Sequence, residues 1–201
     1  MNLTLPTPQL SPRTIIICYP ERRALSDDEL LELSLCNKDL QFERTAQGDL
    51  VVMTPTGSEA SRRNAEITGQ LAVWAKRDGT GITFDSSGGF HLPNSAVRAP
   101  DACWVSSKRL NKLTDEQRKK FPPLCPEFVI ELYSTLNTLD EVQAKMQEYL
   151  ENGAQLGWLI DPEEKQVHVY TPGSVEVLDN PKTVSGGELL VGFELDLTEV
   201  W

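Results

Sequence analysis

The chain has 201 residues, of which 39% are hydrophobic and 24% are charged, a composition typical of one globular domain with a single core. Its 30 acidic residues outnumber 19 Lys and Arg residues, and the resulting formal net charge of -11 excludes nucleic-acid or membrane binding through the overall electrostatic field. No apolar run approaches the roughly 20 residues that a transmembrane helix needs. Since the N-terminus also lacks the pattern of a signal peptide, the sequence predicts a cytoplasmic protein.

The charge is divided unevenly along the chain. Residues 1–121 contain sixteen basic and fifteen acidic side chains, whereas residues 122–201 contain three basic and fifteen acidic ones. Any contact with nucleic acid must therefore be local. Short basic runs are typical of a solvated helix surface, but they can also line a phosphate-binding rim. These runs are Arg62-Arg63, Lys76-Arg77, Lys108-Arg109 and Arg118-Lys119-Lys120.

The cysteines and histidines exclude two classes of site. The four cysteines are scattered without a closely spaced pair, so reduced thiols are predicted. They are Cys18, Cys36, Cys103 and Cys125. Two histidines, His91 and His168, cannot build a multi-histidine metal site and leave little room for a Ser-His-Asp triad. Hydrolytic chemistry must therefore depend on carboxylates.

In chain order, residues 1–24 are predicted to form a surface arm that is too rich in proline for a helix. Ser26 and Glu29 have the spacing of a capping box, which predicts the start of a short helix. A hairpin is predicted next, with strands at 40–44 and 49–53.

A longer helix is predicted after the turn at 55–57. Ser58 is expected to cap this helix, and Gly79 is expected to end it. Apolar residues at helical spacing predict one buried face. They are Ile67, Leu71, Trp74 and Ala75.

The rest of the chain alternates strands with one further helix. Strands are predicted at 81–85, 88–92, 101–105, 127–133, 155–160 and 166–170, and a helix at 139–151. This order indicates an α/β protein of the α+β type, a mixed sheet flanked by helices with an extra N-terminal hairpin and C-terminal strands. A single domain is expected, with a core at about 26–172 and a β-rich tail at 173–201.

Two carboxylates fall on successive predicted strands. Asp101 begins one strand directly after Pro100, and Glu131 lies inside an apolar run, where an ionised group is costly unless it is paired or bound to a cation. If the strands are neighbours, both carboxylates converge on Mg²⁺ or Mn²⁺. A structural salt bridge for Glu131 and a turn or capping role for Asp101 remain alternatives.

The helix at 139–151 offers a third group. A 100° step per residue places Lys145 and Tyr149 together at the flank of the core-facing stripe, which aims Lys145 near the sheet. A boundary lysine commonly extends its ammonium to water instead. Glu59 and Glu66 are weaker accessory candidates, because acidic residues near a helix start commonly interact with the dipole. The core-facing stripe is Leu139, Val142, Met146 and Leu150.

Five segments in this order resemble the Uma2 (DUF820) family of bacterial proteins in the PD-(D/E)XK nuclease superfamily. They are FERTAQGDLVVMTPTGSEASR, RAPDACWV, PEFVIELYS, LDEVQAKMQEYLENGAQLGWLIDP and VHVY. The resemblance covers residues 26–172 and implies a restriction-endonuclease-like core, with Asp101 as the motif aspartate and Glu131 as the motif acid.

The resemblance also implies roles for further residues. Tyr133 occupies the position where an E-x-K motif would place lysine, and Lys145 matches the lysine that the family carries on the following helix. Ser134 matches a family serine expected to cap or bind near the site, and Glu43 matches a hairpin acid with a structural role. Ala60 stands where the family usually has histidine, which leaves that position without its usual side chain.

These observations predict a Mg²⁺- or Mn²⁺-dependent endonuclease that hydrolyses DNA phosphodiester bonds. Asp101 and Glu131 are expected to hold the metal, and Lys145 to stabilise charge at the reacting phosphate. The acidic C-terminal part favours the alternative, an inactive interaction protein with the same fold. A homodimer is also expected, since restriction-endonuclease-like domains often dimerise.

Overall fold

The structure, a computed structural model, describes residues 14–17, 24–134 and 138–201. Most of the predicted arm, including Cys18, lies outside these residues. The described helices are α1 (Asp27–Cys36), α2 (Ser58–Asp78), α3 (Ser107–Leu110), α4 (Asp115–Lys119) and α5 (Leu139–Glu151). None of them is long and apolar enough to cross a membrane.

The strands form two large sheets and a two-stranded ribbon. They are β1 (Thr14–Ile17), β2 (Gln41–Arg44), β3 (Leu50–Met53), β4 (Gly81–Asp85), β5 (Phe90–His91), β6 (Val97–Arg98), β7 (Ala102–Ser106), β8 (Phe128–Leu132), β9 (Leu156–Asp161), β10 (Gln166–Thr171), β11 (Ser174–Asp179), β12 (Thr183–Ser185) and β13 (Glu194–Asp196). The six-stranded sheet has the order β11-β10-β9-β8-β7-β4, and its pairs are antiparallel except β8 with β9. This mixed sheet, flanked by helices, confirms the predicted fold class.

The predicted N-terminal hairpin belongs to a five-stranded sheet. β2 and β3 pair as expected, and the sheet has the order β1-β3-β2-β6-β5. Residues Thr14–Ile17 of the predicted arm form its edge strand and pair with β3. The arm therefore contributes a strand to the fold.

Capping residues mark the start of α5 and the end of α2. Thr138 Oγ1 accepts a hydrogen bond from Glu141 N, and the Glu141 carboxylate accepts one from Thr138 N, so α5 starts with a capping box. Gly79, with φ of 74°, ends α2 as predicted, because glycine adopts this left-handed conformation without steric cost. The prediction for Ser58 was wrong: it is the first helical residue, and Gly57 is the N-cap without a side-chain hydrogen bond.

The two helices cover opposite faces of the six-stranded sheet. Side chains alternate along β8, so Phe128 and Ile130 join the core beneath α2, whereas Val129 joins the core beneath α5. In α5, Tyr149 is fully buried although it was predicted at the flank, and Leu150 is only half-buried.

The C-terminal tail is part of the main core. Its apolar side chains pack with α2 and the sheet, so the predicted boundary at residue 172 does not mark the edge of the core. The fully or nearly fully buried tail residues are Val184, Leu190, Phe193, Leu195, Leu197 and Val200. Trp201 also packs on its own chain and donates a hydrogen bond from Nε1 to the carbonyl oxygen of Pro181 at 3.1 Å.

Candidate active site

Two adjacent strands bring the predicted carboxylates together. β7 and β8 are antiparallel, with Ala102 opposite Ile130. Continuing this register by one residue places Asp101 opposite Glu131. Glu131 lies on the α5 side of the sheet, like Val129 of the same strand. Asp101 directly precedes β7 and receives a hydrogen bond from Asn64 of α2. The metal hypothesis required these two strands to be neighbours, and their pairing confirms that they are.

Asp101 is fixed by hydrogen bonds to both carboxylate oxygens. The backbone N–H of Leu132 donates to Oδ2 at 2.8 Å, and Asn64 Nδ2 donates to Oδ1 at 3.0 Å. Burial raises the pKa of Asp101. Asn64 Oδ1 is itself buried and accepts no hydrogen bond from the described residues. An oxygen with unused acceptor capacity therefore lies beside Asp101.

Glu131 is nearly inaccessible, with 6% of its surface exposed. Lys145 Nζ lies 2.9 Å from its Oε1, and the hydroxyl of Tyr149 donates to the same oxygen at 3.0 Å. Burial raises the pKa of Glu131 to about 7 even though the ammonium of Lys145 lowers it. A desolvated carboxylate of this kind favours a nearby cation.

Lys145 extends into the site, not out to water. Its side chain is 17% exposed, and Nζ lies 2.9 Å from both Glu131 Oε1 and Glu43 Oε1. Nζ also donates to the carbonyl oxygen of Ala99 at 3.4 Å. Burial acts to lower the pKa of Lys145, but the two carboxylates raise it overall, so the ammonium stays charged.

Glu43 links Lys145 to a second ion-pair network. Its Oε2 lies 3.0 Å from Arg98 Nη1, and its Oε1 accepts from the backbone N–H of Ala99 at 2.9 Å. Arg98 Nε lies 2.6 Å from Glu148 Oε2. Burial acts to raise the pKa of Glu43, but Lys145, Arg98 and the Ala99 hydrogen bond lower it overall.

A cleft of about 380 Å³ opens onto these groups. Asp101, Glu131 and Lys145 line it together with Asn64 and Ser134. A larger cleft of about 850 Å³ contains none of the predicted site residues and is lined instead by residues of α1, the β2–β3 turn and α4. Asp101, Glu131 and Lys145 therefore meet at the smaller cleft.

The structure separates the accessory candidates into two groups. Tyr149 contacts Glu131, and Ser134 lies at the cleft. Glu59 is exposed and pairs with Arg62 at 2.6 Å, whereas Glu66 accepts a hydrogen bond from Gln70 at 2.9 Å. Neither Glu59 nor Glu66 lines the cleft.

Sequence reasoning missed Asn64, Arg98 and the central position of Glu43. A signal for Asn64 was present, because Ala60, Asn64, Ile67 and Leu71 follow helical spacing and Asn64 interrupts this stripe with a polar side chain. Ala60, the position of the usual family histidine, also lines the cleft.

At least two of the basic runs contain a side chain that is paired with a nearby carboxylate. Arg62 pairs with Glu59, and Lys120 lies 2.9 Å from Asp28 and 3.3 Å from Glu116. These partners reduce the charge that the runs present to a phosphate backbone.

The donor set suits a hard cation only in part. The described residues contain no group of three His, Cys, Asp or Glu side chains that could hold a metal ion. Asp101 and Glu131 supply carboxylate oxygens, and the unpartnered Asn64 Oδ1 supplies a carbonyl oxygen. Mg²⁺ commonly uses one or two carboxylates and retains several waters, so these residues fit it.

The mixed sheet and its flanking helices form the predicted restriction-endonuclease-like fold. The sequence profile of the Uma2 family, described as "Putative restriction endonuclease", matches residues 27–198. The chain therefore belongs to the Uma2 family, and the match extends well beyond the predicted limit at residue 172.

One solved structure shows the same fold. It is the crystal structure of a putative nuclease belonging to DUF820 from Anabaena variabilis ATCC 29413, with a TM-score of 0.71. The two chains are 21% identical, and the alignment covers 88% of this chain and 97% of the other. A search of curated proteins found no significant match.

Proposed function

We propose that the protein is a divalent-metal-dependent endonuclease that hydrolyses DNA phosphodiester bonds. The observation that carries the proposal is that Asp101, Glu131 and Lys145 line one cleft, with the ammonium of Lys145 2.9 Å from Glu131. Membership of the Uma2 family and the nuclease fold support it.

In the proposed mechanism, Asp101 and Glu131 would hold Mg²⁺ or Mn²⁺, with Asn64 Oδ1 as a neutral oxygen beside them. A divalent ion would supply positive charge for the phosphate and make a water easier to deprotonate. The Leu132 N–H and Asn64 amide keep Asp101 in place, and the Tyr149 hydroxyl keeps Glu131 in place. Lys145 would stabilise the negative charge that develops on the phosphate oxygens during attack by water.

DNA cleavage by the purified protein tests this function directly. Supercoiled plasmid and single-stranded DNA are incubated with the protein in Mg²⁺, Mn²⁺, Ca²⁺ or EDTA. Nicking or cutting is expected in Mg²⁺ and Mn²⁺ and not in Ca²⁺ or EDTA, with a rate that rises with pH as water deprotonation becomes easier. Asp101→Asn, purified in parallel, controls for a contaminating nuclease.

An inactive interaction protein is the second candidate function. The local neutralisation of basic runs by Glu59, Asp28 and Glu116 favours it, because it weakens contact with a DNA backbone. Such a protein would cleave no DNA in any divalent metal. Its DNA affinity would be independent of metal and would fall steeply with salt.

Cellular location and oligomeric state stay predictions. The cytoplasmic location is an expectation from the sequence, and fractionation of cells that express the tagged protein tests it. The homodimer is an expectation from the fold class, and size-exclusion chromatography with light scattering tests it.

A further inference from the structure

Lys145 is shared between two carboxylates that differ in their surroundings. Its Nζ lies 2.9 Å from Glu131 Oε1 and 2.9 Å from Glu43 Oε1. Glu131 lines the cleft beside Asp101, whereas Glu43 does not line this cleft. Glu43 is 2% exposed and lines a separate cavity of about 360 Å³, to which Glu131 and Lys145 also contribute. One ammonium therefore bridges a carboxylate at the cleft and a carboxylate in the interior.

A divalent cation bound to Glu131 would change how the Lys145 ammonium is shared between Glu131 and Glu43. Two cations that share one carboxylate repel each other strongly in a desolvated site. The ammonium of Lys145 must then lose part of its attraction to Glu131, and without a second partner it would be driven from the cleft. Glu43 supplies that partner at hydrogen-bonding distance.

Glu43 is poorly placed to bind the cation itself. Its Oε1 already accepts from the Ala99 N–H and contacts Lys145, and its Oε2 is paired with Arg98 at 3.0 Å. Both oxygens are therefore engaged by donors on the interior side. Glu43 also contacts the Ala99 N–H, two residues before Asp101, so its effect through Lys145 has to be separated from this second route by a double variant.

We propose that Glu43 is a positioning residue that holds Lys145 in the cleft while a divalent cation binds Glu131. The inference rests on the proposed function, because it assumes the cation site at Asp101 and Glu131. It predicts that Glu43 and Lys145 are coupled in cation binding, although Glu43 does not touch the cation.

Glu148 provides a matched control for the loss of charge. It belongs to the same buried network and pairs with Arg98 at 2.6 Å, but its described contacts do not include Lys145. Glu43→Gln and Glu148→Gln therefore each remove one negative charge near the site, and only the first removes a partner of Lys145.

The experiment measures Mn²⁺ affinity by calorimetry and by the electron paramagnetic resonance signal of the free ion. The proteins compared are wild type, Glu43→Gln, Glu148→Gln, Lys145→Met and the double variant of Glu43→Gln with Lys145→Met, each shown by circular dichroism to be folded. Glu43→Gln should weaken Mn²⁺ binding about tenfold, which is within the range of coupling between contacting residues. Glu148→Gln should weaken it less, and Lys145→Met should strengthen it by removing the competing ammonium.

The double variant decides the question. If Glu43 acts through Lys145, Glu43→Gln in the Lys145→Met background should weaken Mn²⁺ binding no more than Glu148→Gln does in wild type. An undiminished effect in that background, or equal effects of Glu43→Gln and Glu148→Gln in wild type, would overturn the inference. If Glu43→Gln fails to fold, Glu43→Asp, whose shorter side chain withdraws the carboxylate from Nζ, replaces it in the same comparison.

Failure of the proposed function gives a different result. If wild type binds no Mn²⁺, or if Asp101→Asn and Glu131→Gln leave the affinity unchanged, the cation site itself is wrong. If those two variants weaken binding but the coupling between Glu43 and Lys145 is absent, only the inference is wrong.

Discussion

The two faces of the six-stranded sheet are filled by different kinds of side chain. Beneath α2 and the C-terminal tail, aromatic rings pack closely: Phe128 and Trp158 have centroids 4.7 Å apart, and Trp158 stacks on Phe193 at 5.7 Å. Beneath α5, on the opposite face, Glu131 and Lys145 form part of a buried ionic network. One face is apolar, and the other is apolar only in part.

The two faces differ in how much their buried side chains contribute to stability. Burying a large apolar side chain contributes about 1.5–3 kcal/mol. A buried ion pair commonly contributes no more than well-packed apolar residues of similar volume. Glu43, Glu131 and Lys145 are therefore poorly explained by stability alone, and clusters of desolvated charges beside a cleft are typical of functional sites.

The largest expected effect concerns the apolar face. Phe193→Ala should lower the free energy of unfolding by about 4 kcal/mol, because it removes a buried ring and leaves a cavity against Trp158. Urea unfolding measures the change. Val191→Ala is the control, since Val191 is 71% exposed in the same tail and should change stability by less than about 0.5 kcal/mol. A loss below about 1 kcal/mol for Phe193→Ala would show that the tail is not part of the core.

On the ionic face, Lys145→Met should cost about 3 kcal/mol of stability, because it leaves Glu43 and Glu131 buried without their shared cation. Glu43 keeps its ion pair with Arg98, so adding Glu131→Gln removes the carboxylate that is left without a cation and should restore part of the loss. Urea unfolding of both variants checks this. An equal or larger loss in the double variant would mean that Lys145 stabilises the fold through packing and not through charge.

Asp101→Asn should separate activity from stability. Cleavage in Mg²⁺ should fall about 100-fold, since the site loses one formal charge needed to hold the cation and stabilise the transition state. Stability should change by less than about 1 kcal/mol, because asparagine keeps an oxygen that can accept from the Leu132 N–H. Plasmid nicking and urea unfolding measure the two effects. Retained cleavage in a folded variant would exclude Asp101 from the cation site.

Much of the six-stranded sheet was predictable because its strands are short apolar runs with clear ends. The prediction at 81–85 matches β4, and the predicted helix at 139–151 matches α5, where Thr138 supplies an N-terminal signal. The tail was harder to interpret. Its buried residues are separated by exposed ones such as Val191, so local periodicity does not reveal that they pack into the main core.

The site was predictable only where the sequence shows that a charged side chain must be buried, which is energetically costly. Glu131 stands out because it interrupts an apolar run. Glu43 does not, because its strand is flanked by polar residues and its burial results from packing against Arg98 and Lys145, which are distant in sequence. Partners of this kind become visible only when the fold brings them together.

The smallest expected effect compares the two helices that cover the faces. Thr138 accepts from the backbone of α5 in a capping box, so Thr138→Ala should lower the free energy of unfolding by about 1 kcal/mol. Ser58 is the first residue of α2 and makes no capping hydrogen bond, so Ser58→Ala should change it by less than about 0.5 kcal/mol. Because α5 carries Lys145, whose ammonium competes with the cation for Glu131, fraying of its first turn should also raise Mn²⁺ affinity in the Thr138 variant and leave it unchanged in the Ser58 variant. Equal effects of the two substitutions on stability and on Mn²⁺ binding would contradict both the cap assignment and the division of roles between the faces.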